Sequence, residues 1–187
     1  IQETKIFESM NVRVVNNARS IESTVDKLYT SYLLNKNKIN CPETYIFRGQ
    51  KAASGFISNY NFKSKLIYKP LFGSQGDNIR LIERPSDLEK LENQTNIYYF
   101  QEYLDNSPNY DYRVLVINNN DNIKYFYMTR YGETFINNFS KGAKCIKEKL
   151  NEDVIELAIK SSRLLNIDFC GVDIIEYKRQ YYVIEVN

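Results

Sequence analysis

The fold of this 187-residue chain follows from its final segment, residues 169–187, which reads FCGVDIIEYKRQYYVIEVN. The aromatic and β-branched residues predict two antiparallel strands, 169–177 and 181–186, joined by a three-residue turn. Facing residues of such a pair add to a constant number, so this turn places Asp173 directly opposite Glu185, with Cβ atoms roughly 5 Å apart. The predicted hairpin therefore brings two carboxylates together on one face of a sheet.

A metal ion would resolve the conflict between these two acids. Like charges that face each other in a strand pair are destabilising, and a divalent cation removes the repulsion. Asn187 lies two residues beyond Glu185 and so shares its face. Because all three donors are oxygens, Asp173, Glu185 and Asn187 are candidate ligands of Mg²⁺ or Mn²⁺ rather than zinc. The alternative is an exposed face where both acids are solvated, although Ile175 and Val183, expected on the same face, favour partial cover.

Outside the hairpin, hydrophobic spacing predicts an α+β protein with antiparallel sheets. Apolar residues at helical spacing follow Asn151, a predicted N-cap, and indicate a helix to about residue 165. A second helix is predicted from residue 21 to about 34 with Ser20 as its N-cap, and a short third one where residues 86–89 have the form of a capping box. Strands are predicted over residues 44–47, 65–68, 79–82, 97–104, 111–117 and 123–130.

A loop with two glycines, KPLFGSQGDNI over residues 69–79, joins two of these strands. It lacks the GK[ST] sequence of a Walker A loop, but such a loop can fold over phosphates and offer them backbone N–H groups, with Lys69 as a point charge. Asp77 would repel phosphates unless it points outward, and Asn78 can take the left-handed conformation that glycine would otherwise supply. The alternative is an ordinary hairpin loop, and for Lys27, on the first predicted helix, a solvated lysine.

Composition excludes several classes of function. The chain has 25 Lys and Arg against 23 Asp and Glu, and the resulting net charge of +2 gives no strong basic field for nucleic acid. It has no His, which excludes His-based triads, His-ligated zinc and imidazole acid–base catalysis. Cys41, Cys145 and Cys170 are odd in number and far apart, so we expect buried thiols in a reducing compartment rather than disulfides.

The sequence also predicts the setting of the protein. No apolar run approaches the roughly 20 residues of a membrane span, and no secretory signal is visible. We therefore expect a cytoplasmic protein without a membrane partner. The chain starts at Ile1 rather than Met and stops directly after a predicted strand, which indicates a piece of a larger protein.

Taken together and in order, the segments resemble the ATP-grasp ligases, and within them the RimK-like α-L-glutamate ligases. The resemblance runs from about residue 14 to Asn187, and among subfamilies the chain is most similar to ligases that add glutamate to a tetrahydromethanopterin-type cofactor. The matching segments are Asp26-Lys27, residues 68–76, 100–104 and 111–114, Asn138 with residues 141–143, and residues 171–173 and 185–187.

The resemblance implies an α+β ATP-grasp fold in which two subdomains clamp ATP between their sheets. It implies that residues 1–19 are the remnant of an N-terminal domain that is largely missing. Residues 20–100 would form the subdomain with the glycine-rich lid. Residues 101–187 would form the C-terminal subdomain with the metal site.

It also implies a role for each matching residue. Arg130 would lie near the transferred phosphate and share a catalytic role with Lys69. Asp111 would contact the ribose, and the three oxygen donors of the hairpin would bind two Mg²⁺ or Mn²⁺ ions. The other nucleotide-binding residues would be Lys27 and Lys69 near the phosphates and adenine, Gly73, Ser74, Gln75 and Gly76 in the lid, Gln101, Glu102, Tyr103 and Leu104 on the strand beside the adenine, and Asn138 on the nucleotide side.

The implied reaction is ATP-dependent carboxylate–amine ligation. The γ-phosphoryl group would move to an acceptor carboxylate, and the amine of L-glutamate would attack the acylphosphate. The acceptor would be a small cofactor tail, a protein C-terminus such as that of a ribosomal protein, or an amino-group carrier protein. Analogy with the family also implies a homo-oligomer.

Two departures from the family pattern keep other functions open. Ile136 stands where a basic residue is usual, and Asp77 and Asn78 replace a more basic or glycine-rich end of the lid. A nucleotide-binding module without ligase activity is therefore one alternative. A kinase-like phosphotransferase is disfavoured because no HRD-type loop precedes the metal residues, and a structural β-rich interaction domain would gain no stability from Mg-ATP.

Overall fold

A computed structural model describes residues 1–71, 78–91, 95–106, 108–119, 122–132 and 142–187. Across these ranges the helices and strands come in the following order: α1 Gln2–Ser9, α2 Ala18–Val25, α3 Lys27–Lys36, β1 Thr44–Arg48, α4 Gln50–Asn59, β2 Leu66–Lys69, β3 Arg80–Ile82, a 3₁₀ helix Pro85–Lys90, β4 Ile97–Glu102, β5 Tyr110–Asn119, β6 Asn122–Tyr131, β7 Lys144–Ile146, α5 Glu152–Leu164, β8 Phe169–Tyr177 and β9 Gln180–Val186. None of the helices in these ranges is both long and apolar enough to cross a membrane.

The chain forms two compact units. The larger unit combines Ile1–Cys41 with Asn106–Asn187, and the smaller unit is Pro42–Asp105. This division differs from the predicted boundaries after residues 19 and 100. Leu34 and Ile39 are buried in the core of the larger unit, and β4 lies in the middle of the smaller unit's sheet.

Each unit contains one antiparallel sheet, which confirms the predicted α+β class. The smaller unit has the strand order β1-β4-β2-β3, and α4 packs against its aromatic face. Phe56 of α4 stacks on Phe47 and Phe100 of that face, with ring centroids 4.7 and 6.2 Å away. The larger unit has the order β7-β6-β5-β8-β9. Helix α4 is not among the helices predicted from the sequence.

The predicted helix from residue 21 to 34 is two helices in the structure. Asp26 ends α2 and caps α3, since its carboxylate accepts hydrogen bonds from the backbone N–H groups of Leu28 and Tyr29 at 2.9 and 3.1 Å. An Asp side chain that binds nearby backbone competes with helix continuation. Ser20 is not the N-cap: Asn17 caps α2, and the Ser20 hydroxyl donates to the Asn166 carbonyl.

The other helix predictions have mixed outcomes. Asn151 caps α5 as predicted, accepting from the Asp153 N–H at 3.0 Å. The predicted capping box at residues 86–89 does not form. The Asp87 carboxylate instead accepts from the Glu83 N–H at 3.1 Å, and the segment is a 3₁₀ helix without a side-chain cap.

The terminal hairpin reaches the predicted pairing by a different route. Its turn has two residues, Lys178 and Arg179, so the predicted three-residue turn was wrong. Both have left-handed backbone conformations, with φ of 50° and 63°, as a type I′ turn requires. A bulge between Asp173 and Ile174 then shifts the register by one residue, and Asp173 faces Glu185.

The sheet of the larger unit has two unlike faces. One face packs against α5 and α3 in a core that includes Val114, Val172 and Ile174. Val183 belongs to this core, opposite Ile174, so the prediction that it shares the face of the acids was wrong. The opposite face, called the charged face below, carries the side chains of Asp111, Arg113, Arg130, Asp173, Glu185 and Asn187.

Candidate nucleotide and metal site

The charged face holds a chain of ion pairs that crosses three strands. Arg130 of β6 faces Asp111 of β5 and donates to both carboxylate oxygens, at 2.6 and 2.9 Å. Arg113 of β5 faces Asp173 of β8 and donates to both of its oxygens, at 2.7 and 2.6 Å. A contact of 3.1 Å from Arg130 Nη2 to Asp173 Oδ1 joins the two pairs. Alternating charges therefore run from Asp111 to Arg113.

Most of this network is out of contact with water. Asp111, Arg130 and Asp173 are 6, 3 and 5% exposed. Burial raises the pKa of Asp111 to about 6, with a further increase from the charge of Asp173, although hydrogen bonds from Arg130 oppose the shift. Burial alone would lower the pKa of Arg130, but attraction to Asp173 and Asp111 outweighs it, so the pKa is raised and the guanidinium stays charged. Fixed positive charge of this kind suits an anionic ligand.

The predicted metal ligands lie together at one end of the charged face. Asp173 faces Glu185, and Asn187 pairs with Gly171 through two backbone hydrogen bonds of 2.8 and 2.9 Å. Alternation along β9 puts Asn187 on the side of Glu185. Two carboxylates and an amide fit a hard cation that completes its shell with phosphate and water. Within the described ranges, no group of three or more His, Cys, Asp or Glu forms a metal site by itself.

In the smaller unit, a second polar cluster lies on the sheet face away from α4. Lys69, at the end of β2, donates from Nζ to Gln101 Oε1 at 2.6 Å. The Gln101 amide in turn lies 3.4 Å from the Tyr99 hydroxyl. All three residues are buried, with Lys69 7% exposed. A buried ammonium on a strand is costly unless it is hydrogen-bonded or paired, and the bond to Gln101 fixes the position of this ammonium.

The strand that was predicted to contact the adenine ends close to this cluster. The Glu102 N–H donates to the Glu43 carbonyl and the Tyr103 N–H to the Lys65 carbonyl, each at 2.8 Å. Leu104 is buried, and no described residue accepts from its N–H. Leu104 therefore offers the one donor of this segment that the described residues do not use.

The remaining predicted residues fall in three groups. Lys27 is the first residue of α3 and belongs to the larger unit, whereas Lys69 belongs to the smaller one. Asn78 has the predicted left-handed conformation, with φ of 57°. Outside the described residues lie Gly73, Ser74, Gln75, Gly76, Asp77, Ile136 and Asn138.

Arg113 is the site residue that sequence reasoning missed. Alternation along β5 puts Arg113 on the face opposite Val114, but alternation gives no reason to assign it a partner. The signal that was available is its spacing: Arg113 follows Asp111 by two residues, so both lie on one face. The pairing of β5 with β8, two strands far apart in sequence, places Asp173 opposite Arg113. The sequence alone did not predict this pairing.

Comparison with known proteins identifies the family. Residues 24–187 match the family described as the RimK-like ATP-grasp domain. The chain belongs to the RimK-like ATP-grasp family.

Curated relatives of this RimK-like chain carry the names of ligases. A coenzyme γ-F420-2:α-L-glutamate ligase of Methanococcus maripaludis is 29% identical over 100% of this chain and 66% of its own length. An α-aminoadipate–LysW ligase, LysX, of Saccharolobus solfataricus is 28% identical over 97% of this chain and 68% of its own. A tetrahydromethanopterin:α-L-glutamate ligase of Methanosarcina acetivorans is 29% identical over 91% and 56%. The chain thus spans between about half and two thirds of each relative.

Solved structures share the ATP-grasp fold. The D-alanine–D-alanine ligase of Coxiella burnetii superposes with a TM-score of 0.76 at 12% identity, over 98% of this chain and 53% of its own. The ATP-grasp ligase PsnB, in a complex with the precursor peptide PsnA2 and AMPPNP, gives 0.65 at 21% identity, over 97% and 55%. These similarities confirm the predicted ATP-grasp fold.

Proposed function

We propose that the protein is an ATP-dependent carboxylate–amine ligase that adds L-glutamate to a carboxylate acceptor. One observation carries the proposal: in a RimK-like ATP-grasp chain, paired oxygen donors and two arginines meet on the same sheet face. The names of the relatives support ligation, and two of the three relatives described above are glutamate ligases.

ATP is the proposed phosphoryl donor. Lys69 supplies a positive charge for the phosphates, and Gln101 holds its ammonium in place. The Leu104 N–H is the proposed donor to the adenine edge, since Glu102 and Tyr103 use theirs within the unit. Lys27 and the loop with Gly73, Ser74, Gln75 and Gly76 are proposed as further phosphate contacts, and Asn138 as another contact on the nucleotide side.

Asp173, Glu185 and Asn187 are the proposed ligands of the two Mg²⁺ or Mn²⁺ ions that accompany the nucleotide. When bound, such a metal would neutralise negative charge on the phosphates. The protein's own contribution is to hold these oxygen donors on adjacent strands, where the bulge at Asp173 sets their register.

Arg130 is the proposed group that stabilises the transferred phosphoryl. The γ-phosphoryl moves from ATP to the acceptor carboxylate, and ADP is the leaving group. The neutral glutamate amine then attacks the acylphosphate carbonyl, an amide bond forms as the bond to phosphate breaks, and inorganic phosphate and a proton are released. Positioning and charge neutralisation dominate such a reaction. Because both oxygens of Asp111 are bound by Arg130, we propose that Asp111 orients this guanidinium; a ribose contact by Asp111 would have to be made in addition.

The acceptor is proposed to be a small cofactor or a protein C-terminus. The relatives' names point to both kinds: coenzyme F420 and tetrahydromethanopterin on one side, and LysW on the other. A cytoplasmic location and a homo-oligomeric state are part of the proposal and rest on the sequence arguments above.

The test is ADP release by the full-length protein. Purified protein is incubated with Mg-ATP, L-glutamate and a panel of acceptors that includes a reduced pterin cofactor, an F420-type cofactor and a peptide ending in glutamate. ADP formation that requires both glutamate and one acceptor supports the ligase. Binding of Mg-ATP, detected as a rise in melting temperature, without turnover on any acceptor would favour a non-ligating nucleotide-binding module. A ligand at 100 times its Kd adds roughly 2.7 kcal/mol of stability, which such an assay detects easily.

A further inference from the structure

The contact between Arg113 and Asp173 bears on how a metal ion reaches the site. Two hydrogen bonds and one further ion-pair contact reach the Asp173 carboxylate: Arg113 donates from Nε to Oδ1 at 2.7 Å and from Nη2 to Oδ2 at 2.6 Å, and Arg130 Nη2 lies 3.1 Å from Oδ1. Asp173 is also a proposed metal ligand, so the inference below rests on the proposed function.

Arg113 and a divalent cation compete for the same oxygens. Mg²⁺ needs its oxygen ligands at about 2.0–2.1 Å, and a guanidinium bound to both oxygens of one carboxylate brings a full positive charge beside that position. While Arg113 binds both oxygens of Asp173, its positive charge therefore weakens any bond between this carboxylate and a divalent ion. Tight binding of the ion requires Arg113 to move away from Asp173.

Of the two arginines at Asp173, Arg113 is the one that can move. The Arg130 side chain is 4% exposed and held by Asp111 at 2.6 and 2.9 Å. The Arg113 side chain is 29% exposed, and within the described part of the chain it hydrogen-bonds only to Asp173. Its Cδ and Nε pass over Gly171, 3.8 and 3.7 Å from where a Cβ would stand, so no side chain at position 171 covers it.

We propose that Arg113 occupies Asp173 in the nucleotide-free protein and releases it only when phosphate oxygens offer the guanidinium another partner. The planar fork of an arginine binds phosphate as well as carboxylate through two parallel hydrogen bonds. Divalent metal and nucleotide consequently bind together, and metal alone binds weakly. Arg113 acts here as a positioning residue, since its effect on the metal passes through Asp173.

The test is the binding of Mn²⁺ alone, measured by the electron paramagnetic resonance signal of the free ion, with no turnover involved. We compare the wild-type protein with Arg113→Met and with the control Arg19→Met, which removes an exposed arginine from α2. Without nucleotide, Arg113→Met is expected to bind Mn²⁺ about tenfold more tightly than the wild type, because a competing charge is gone. Arg19→Met is expected to match the wild type. An Arg113→Met affinity equal to or below that of the wild type overturns the proposal.

A second variant and a second ligand complete the design. Arg113→Gln, which keeps a polar group at the site, replaces Arg113→Met in the test if that variant does not fold. It is expected to show the same gain in Mn²⁺ affinity without nucleotide. With a non-hydrolysable ATP analogue added, Mn²⁺ affinity is expected to rise more in the wild type than in either variant. Suppose that the wild type binds Mn²⁺ with the analogue, but that the variants bind Mn²⁺ no more tightly than the wild type without it. This result refutes the role of Arg113 and leaves the proposed function intact. Absence of Mn²⁺ binding with the analogue in the wild type refutes the proposed function.

Discussion

Arg113 and Asp173 face each other on β5 and β8, and the guanidinium binds both carboxylate oxygens at 2.7 and 2.6 Å. Sixty residues separate the two in sequence. The pair lies next to Glu185, a carboxylate that faces Asp173 from the other side. The centre of the charged face is therefore one aspartate between an arginine and a glutamate, and its properties lead to the following predictions.

Glu185→Gln should weaken metal binding while the fold stays intact. Within the described residues the Glu185 side chain forms no hydrogen bond or ion pair, so the substitution breaks no such contact there. Loss of one ligand charge should weaken Mn²⁺ binding in the presence of an ATP analogue by about tenfold or more. Calorimetric titration measures this, with Glu156→Gln on the exposed side of α5 as the control. Equal affinities for the two variants would remove Glu185 from the metal site.

Lys69→Met should weaken nucleotide binding. The substitution keeps the length of the side chain and removes a charge whose hydrogen bond to an ionised partner is worth roughly 1.5–3 kcal/mol, or about a 10- to 100-fold loss in affinity for an ATP analogue. The matched control is Lys65→Met, four residues earlier, where the ammonium forms an exposed ion pair with Glu83 at 2.6 Å. Fluorescence titration with a labelled nucleotide compares the two. A loss of affinity of the same size in both variants would contradict a specific role for Lys69.

Asp111 should make the stability of the protein fall with rising pH over a defined window. Its pKa is raised by burial to about 6, above the value of about 3.9 in an unfolded chain. The folded state therefore binds this proton more tightly, and stability is lost as pH rises from about 4 to about 6 and is constant above. The full effect of such a shift is about 3 kcal/mol.

The Asp111→Asn variant, which lacks the titrating group, isolates this contribution. The free energy of unfolding is measured in urea between pH 4 and pH 7 for both proteins. The wild type should lose stability relative to the variant across that window by up to about 3 kcal/mol. A difference between the two proteins that stays constant with pH would show that folding does not raise the pKa of Asp111.

Replacing the turn residues Lys178 and Arg179 by Asn and Gly should stabilise the protein. Both residues have positive φ, a conformation that costs a residue with a Cβ about 1 kcal/mol or more, and Asn-Gly is the preferred pair for a type I′ turn. We expect the free energy of unfolding to rise by about 1 kcal/mol in chemical denaturation. A three-residue turn would place these residues differently, so a decrease in stability would argue against the observed register.

The sequence predicted the sheet and its polar face better than the helices. Alternation along residues 111–117 separates the core face from the charged face, because a strand has a fixed period of two. The break between α2 and α3 was not visible in the hydrophobic spacing, since it depends on which backbone groups the Asp26 carboxylate binds. The short 3₁₀ helix likewise depends on which backbone group the Asp87 carboxylate binds, here the N–H of Glu83.

The hairpin shows that a correct pairing can be predicted from an incorrect turn. The predicted turn was one residue too long, and the bulge beside Asp173 adds the residue that the real turn lacks. No local sequence pattern predicts the bulge or the partner of Arg113. Both depend on long-range packing, which places Val183 and Val186 in the core and leaves Glu185 between them on the other face.

The bulge also sets how β9 tolerates insertions and deletions. Val183 and Val186 both point into the core although two residues, Ile184 and Glu185, lie between them, and the bulge accommodates the extra residue Ile184. Removing Ile184 would leave Val183, Glu185 and Val186 in simple alternation, with both valines in the core and the carboxylate on the charged face. Loss of that single codon should therefore abolish the bulge and still keep the pairing of Asp173 with Glu185.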